Sequence, residues 1–262
     1  MDLDLEGRTA VVTGASKGIG LAITRALVAE GVHVVAGARE QSAGLAELAT
    51  EGRVQTVTVD LATATGPADL VAAALDLGGL DILVNNVGQV SPRLNGFLMV
   101  TDEQWMRSLT LNLMAAVRTT RAALPAMLAA GHGSIVTTSS VNAFLPDPGV
   151  IDYSAAKAAL TNFSKALSKE VGARGVRLNT VSPGPVATDL WLGSGGVAAA
   201  VGHATGREPE AVARDAADQS VTGRFTRPEE VAALVLVLAS DRASGNVTGS
   251  DFVIDGGLTT QT

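Results

Sequence analysis

The chain has 262 residues, 47% of them hydrophobic and 17% charged, with a net charge of −7 and no cysteine. That composition supports a sizeable core rather than disorder, and it excludes disulfides, thiol catalysis and cysteine-based metal sites, so no metal is expected. With an acidic balance and no basic cluster, nucleic acid and anionic membrane surfaces are not expected partners.

The first residues, Met1 to Glu6, are acidic and lack the basic-then-apolar order of a signal peptide. The most apolar run, Val231 to Ala239, is too short to span a bilayer, so a soluble cytoplasmic protein is expected. Thr9-Ala-Val-Val-Thr13 reads as a short strand running into Gly14-Ala-Ser-Lys-Gly18-Ile-Gly20, and a helical pattern runs on from Leu21 to Glu30. A glycine-rich turn between a strand and a helix start presents bare N–H groups and the positive end of the helix, which suits a phosphate. A tight turn that binds nothing is the ordinary alternative; the strand–turn–helix context favours a dinucleotide.

The second strand, Val32 to Ala38, ends in Arg39-Glu40. An acidic residue at this strand end would hold the adenosine ribose, whereas a nearby arginine suits a 2′-phosphate. Ala38 supplies no acid, and Lys17 and Arg39 are two cations expected at one pocket. NADP(H) is therefore favoured and NAD(H) stays open. Glu40 reads as the opening of the next helix, where an acid suits the dipole.

Helical residues from Ser42 to Thr50 lead to a strand, Val54 to Val59, that closes on Asp60-Leu61. A helix from Pro67 to Leu77 precedes a buried strand, Asp81 to Asn85, and then Asn86-Val-Gly88. Such alternation of strand and helix predicts a parallel sheet covered on both faces. From Thr101-Asp102 a long helical pattern carries Trp105, Leu109, Asn112, Leu113 and Ala116, and Pro125 is expected to kink or end it. Asn112 is an amide among apolar neighbours and must be hydrogen-bonded if buried.

A strand from Ser134 to Ser140 and a loop at Pro146–Gly149 come before a helix running from Tyr153 to about Gly172. Val176 to Val181 reads as a strand and Ser182-Pro-Gly-Pro185 as its turn. Residues 189–222 are rich in Gly and Ala, which suits a mobile substrate lid or a tolerant surface insertion. Pro228 opens a last helix, and Asp251 to Gly257 gives a last strand and turn. With no repeat and no interdomain linker, residues 1–262 are expected to form a single domain.

Tyr153 and Lys157 are four residues apart, hence on one helix face and about one turn of 5.4 Å apart. An ammonium near a phenol favours phenolate and draws the tyrosine towards working pH, where a proton donor serves best. Ser140 lies thirteen positions before the tyrosine, at the end of its strand.

In order along the chain, Thr13-Gly14-x3-Gly18-x-Gly20, Asp60-Leu61, Asn85-Asn86-Val-Gly88, Asn112, Ser140, Tyr153-x3-Lys157 and Pro183-Gly184-Pro-Val186-x-Thr188 resemble the short-chain dehydrogenase/reductase family. Val87 departs from the alanine usual there. The resemblance implies a Rossmann-type, doubly wound, seven-stranded parallel sheet in the order 3-2-1-4-5-6-7. Tyr153 would exchange the proton with the substrate oxygen, Ser140 would hydrogen-bond that oxygen, Lys157 would bind the nicotinamide ribose and lower the tyrosine pKa, and Asn112 would hold a water. Gly14, Ser16, Gly18, Ile19 and Gly20 would surround the pyrophosphate. Asp60 and Leu61 would meet the adenine, Asn86 and Gly88 the ribose, and Pro183, Val186 and Thr188 the nicotinamide face. Lys17 and Arg39 resemble the NADPH-preferring members, and the last strand resembles the part that pairs subunits into a homotetramer or homodimer.

The function implied is an NADP(H)-dependent carbonyl reductase acting on a small ketone or secondary alcohol. An NAD-dependent secondary alcohol dehydrogenase and a non-catalytic dinucleotide-binding regulator stand as alternatives. The substrate pocket should be framed by Gln89 to Leu94, Asn142 to Phe144, Val150 and the lid from Leu190. It reads as mostly apolar; His203 and Arg207, the cations considered for it, sit in a flexible stretch and are expected to be exposed.

Overall fold

The computed structural model describes residues 2–260. Seven strands, β1 (Thr9–Thr13), β2 (His33–Ala38), β3 (Val54–Thr58), β4 (Ile82–Asn85), β5 (Gly133–Thr138), β6 (Val176–Pro183) and β7 (Asp251–Ile254), form one sheet. Every pairing is parallel and the order is β3-β2-β1-β4-β5-β6-β7, as the resemblance implies. In between run α1 (Gly18–Ala29), α2 (Ala43–Ala49), α3 (Gly66–Leu75), α4 (Asp102–Leu109), α5 (Ala115–Ala130) and α6 (Ile151–Val171). After β6 come α7 (Asp189–Leu192), α8 (Val197–Thr205), α9 (Pro209–Asp218), α10 (Pro228–Ala239) and α11 (Asp241–Ser244).

Successive strand residues point to opposite faces, so a strand with a core on each side carries apolar residues at successive positions. Thus Val12, Val34 and Ala36 pack with Ile23 and Leu27 of α1 and Val231 and Val235 of α10. Val11 and Val35, alternating with them, and Leu83 of β4 face the other way, onto Leu70 of α3 and Ala123 and Met127 of α5. Each fully buried Leu or Ile side chain contributes on the order of 2 kcal/mol. The result is a Rossmann-type single domain whose chain order reverses between β1 and β4, at the carboxyl edge where ligands bind in such folds.

Two elements differ from expectation. The helix starting at Asp102 is interrupted by a π-helical turn, Thr110–Met114, and then continues as α5 straight through Pro125 to end at Gly131 in a left-handed C-cap. Pro125 therefore does not end it. Residues 189–222 are also largely helical, forming α7, α8 and α9, with the Trp191 ring tilted at 58° against Phe225, centroids 5.5 Å apart. No helix among the described residues is long and apolar enough to cross a membrane.

Candidate active site

The glycine loop forms between β1 and α1. Gly14 and Gly18 have φ of +67° and +54°, values that side-chain-bearing residues rarely adopt. A Cβ on Gly20 would run into the Gly14 carbonyl and lie 2.6 Å from Asn86 Nδ2, so glycine is required there too. The first turn of α1 carries no acid and its N-cap, Lys17, makes no side-chain cap, which leaves the orphan N–H groups facing outward. Ser16 and Ile19 are half-buried in the loop, and the Ser42 hydroxyl donates to the Ser16 carbonyl, tying the loop to the start of α2.

Thr13 and Asn86 brace this loop from below. Thr13 Oγ1 accepts from the backbone N–H of Asn86 (2.8 Å) and of Val87 (3.0 Å). Asn86 Nδ2 donates to the carbonyls of Thr13 (3.1 Å) and Gly14 (3.3 Å). The Asn86 amide nitrogen is thus engaged with the loop backbone. At the end of β2, Ala38 is buried while Arg39 and Glu40 are exposed. Lys17 and Arg39 have no ion-pair partner among the described residues. Asp60 caps its own loop at Ala62 N (2.9 Å), and Leu61 is buried. Arg118 of α5, which no motif singles out, donates to the carbonyls of Ala62 (3.1 Å) and Thr63 (3.2 Å) and steadies that loop.

Beyond β5 the serine doublet splits. Ser139 faces α6, bonding the Thr161 hydroxyl at 2.6 Å. Ser140 sits close enough to the Tyr153 phenol to draw its pKa down, while its own Oγ donates to Asn142 Oδ1 at 3.2 Å. Burial outweighs that contact and pushes the Tyr153 phenol above its ordinary value. Lys157 is 3% exposed, and burial lowers its pKa to about 8. Its Nζ donates to the Thr138 carbonyl at 2.8 Å and lies 5.7 Å from the centre of the Tyr153 ring. The expected lowering of the tyrosine by the lysine is therefore not what the protein alone does: the lysine's own charge is disfavoured, and the phenol moves up.

Asn112 occupies the middle of the π turn and is buried. Its Oδ1 accepts from Gln89 N (2.9 Å) and its Nδ2 donates to Gln89 O (2.9 Å) and Ser108 O (3.1 Å). Both amide protons are spent inside the protein, so only a lone pair on Oδ1 is left for the water it was expected to hold. Gly88 lies between this amide and the lysine: a Cβ there would sit 3.0 Å from Asn112 Oδ1 and 3.6 Å from Lys157 Nζ.

Pro183 ends β6, and the next turn is stitched to residue 226 through Thr226 N to Pro185 O (3.0 Å) and Ala187 N to Thr226 O (2.9 Å). Val186 is buried there, and Thr188 lies over the glycine loop, with Cγ2 3.2 Å from where a Cβ on Gly18 would be. The expected site residues thus gather along one sheet edge. His203 and Arg207 do not join them as free cations: both are exposed, and Arg207 pairs with Asp215 inside the 189–222 segment. A cation in the loop after β4, Arg93, is paired with Asp152. The signal for it was present, since Arg93 is the only charge between Asn86 and Thr101 and Asp152 directly precedes the tyrosine.

The family model described as short chain dehydrogenase matches residues 8–194. The rabbit protein named dehydrogenase/reductase SDR family member 4 is 36% identical, over 97% of this chain and 94% of its own. The 3-oxoacyl-acyl-carrier-protein reductase FabG of Escherichia coli is 34% identical, over 98% of this chain and 99% of its own. Among solved structures, L-sorbose reductase from Gluconobacter frateurii, complexed with NADPH and L-sorbose, is 36% identical with a TM-score of 0.90, covering 100% of both chains. A putative NAD(P)-dependent gluconate 5-dehydrogenase from Beutenbergia cavernae with bound NADP is 34% identical, with a TM-score of 0.86 over 98% of this chain and 99% of that one.

Proposed function

The chain belongs to the short chain dehydrogenase family, and on that premise we propose that it is an NADP(H)-dependent reductase of a small ketone, running in reverse on the secondary alcohol. The observation that carries this reading is the grouping of Ser140, Tyr153 and Lys157 at the sheet edge beside the glycine loop. A dinucleotide fits the residues present. The uncapped start of α1, the bare backbone at Gly14, Gly18 and Gly20, and Lys17 and Arg39, which pair with no acid among the described residues, suit a pyrophosphate and a 2′-phosphate. Similar solved structures hold NADPH or NADP, which supports the same choice here.

When bound, NADP(H) supplies the hydride. The protein's part is orientation and the proton. Tyr153 Oη would give its proton to the carbonyl oxygen as negative charge grows there, and a phenol kept protonated by burial is ready to do so. Ser140 Oγ would turn its hydrogen from Asn142 Oδ1 to the same oxygen, fixing the carbonyl's direction. Lys157, with a pKa near 8, would meet the nicotinamide ribose hydroxyls with a partly charged amine. Asn112 would hold the substrate loop at Gln89, and Thr188 would lie over the nicotinamide end. We propose residues 189–222 as the substrate cover, anchored by Trp191 on Phe225. The assembly we propose is a homotetramer or homodimer paired along β7, an edge strand whose Val253 is 45% exposed.

The test is a panel of ketones, including L-sorbose and butane-2,3-dione, with NADPH and with NADH. Oxidation of NADPH by at least one of them is expected. Tyr153→Phe should bind NADPH as tightly as wild type while turnover falls by about 10²-fold or more. Wild-type turnover in that variant would sink the assignment. Tight NADPH binding with no carbonyl reduced would favour the non-catalytic regulator.

A further inference from the structure

We propose that Arg93 and Asp152 are a positioning pair that sets the Tyr153 phenol against the substrate loop; this rests on the reductase reading above. Arg93 Nε lies 3.2 Å from both Asp152 oxygens and Nη2 lies 2.5 Å from Oδ2, so the guanidinium grips the carboxylate as a fork. Their side chains are 13% and 2% exposed. In every other ion pair among the described residues at least one partner is more than 20% exposed. Two charges taken this far from water need a close partner and a reason to be there.

Their place in the chain supplies the reason. Asp152 is in the first turn of α6, immediately before Tyr153. Arg93 is in the loop after β4, and its backbone N–H also donates to the Gly149 carbonyl at 2.6 Å, just ahead of α6. Four residues earlier, Gln89 is held on both backbone groups by Asn112. Residues 89–93 are therefore a strap tied at one end to the π turn and at the other to the start of the tyrosine helix. A planar fork fixes orientation as well as distance, and a lysine in its place would fix neither. The pair also cancels the cation on the substrate loop, which leaves Arg93 unable to recruit an acidic substrate while Asp152 is present.

The experiment separates positioning from stability with four variants assayed on butane-2,3-dione and L-sorbose with NADPH. Asp152→Asn strands a buried guanidinium, so both the melting temperature and kcat should fall. The double variant Arg93→Gln/Asp152→Asn removes both charges and should recover most of the melting temperature. Its kcat should nevertheless stay about tenfold or more below wild type, with NADPH affinity unchanged. Arg93→Lys should retain the fold and lose several-fold in kcat. If kcat returns together with the melting temperature in the double variant, or Arg93→Lys turns over like wild type, the pair is structural only and the proposal is overturned. Arg93→Lys decides alone if the others fail to fold. Tyr153→Phe, run alongside, tells the two readings apart: full turnover there removes the reductase assignment, whatever the pair does.

Discussion

Lys157 Nζ lies 5.7 Å from the centre of the Tyr153 ring, yet its hydrogen bond goes to the Thr138 carbonyl 2.8 Å away. The two residues share a helix face without sharing a proton. Each is held by burial towards its uncharged form, the phenol with a raised pKa and the amine with one lowered to about 8.

Tyr153 is the only tyrosine in the chain, so tyrosinate absorbance reports on it alone. In the protein without ligand, that absorbance should rise only above the free-tyrosine value of about 10. Its folded pKa is raised, so the stability it lends is full below the unfolded value and declines as pH climbs towards the folded one. A midpoint clearly below that of free tyrosine would contradict the dominance of burial.

The lysine carries the opposite sign. With the folded value near 8 and the ordinary value at 10.5, its contribution is present above 10.5 and lost as pH falls towards 8. At neutral pH the buried amine costs roughly 3 kcal/mol on that linkage, before its bond to Thr138 is counted. Lys157→Met should accordingly melt a few degrees higher than wild type at pH 7 while reductase turnover collapses. Calorimetry checks the first half, and a lower melting temperature would refute it.

Arg39 is exposed and unpaired among the described residues at the end of β2. A charge-assisted bond to a phosphate is worth about 2 kcal/mol, or some thirtyfold in affinity. Arg39→Asp should weaken NADPH binding by about that factor and leave NADH equal or better. Equal NADPH affinity, measured by nucleotide fluorescence, would return the choice to NAD(H).

Trp191 anchors α7 on Phe225, an aromatic pair of the kind that contributes about 1 kcal/mol. Trp191→Ala should raise KM for the ketone several-fold with NADPH affinity intact, and should speed proteolytic cutting within 189–222. An unchanged KM together with unchanged cutting would mean that the segment is not a substrate cover.

The sheet was legible in the amino-acid order because β1, β2 and β4 carry consecutive apolar residues, as burial on both faces favours, although β6 buries Arg177, Asn179 and Ser182 as well. The glycine loop was legible too, since Gly14, Gly18 and Gly20 stand where side chains cannot. The separation of thirteen positions from the tyrosine singles out Ser140, and the hydroxyl of the adjoining Ser139 does face a different neighbour. Long-range polar pairing was not legible. Arg93 and Asp152 are 59 positions apart, and each alone looks like a solvated surface charge. The π turn was hidden for a related reason: apolar spacings of three and four also fit an unbroken α-helix, and the wider backbone bonding of Thr110–Met114 leaves no mark in them. Composition alone left 189–222 open between a mobile lid and a tolerant surface insertion, and did not foretell that the segment forms α7, α8 and α9.

That π turn also has a bearing on how the chain can change in length. An α-helix closes each turn with a bond across four residues and a π turn with one across five, so Thr110–Met114 hold one residue more than the helices on either side need. Deleting one residue there would let the turn close as ordinary α-helix, with Asp102–Leu109 and α5 keeping the faces they present. The Asn112 amide, no longer carried on a widened turn, would lose its place opposite Gln89. In these five residues a change in length would thus be felt at the site and not in the packing of the two helices.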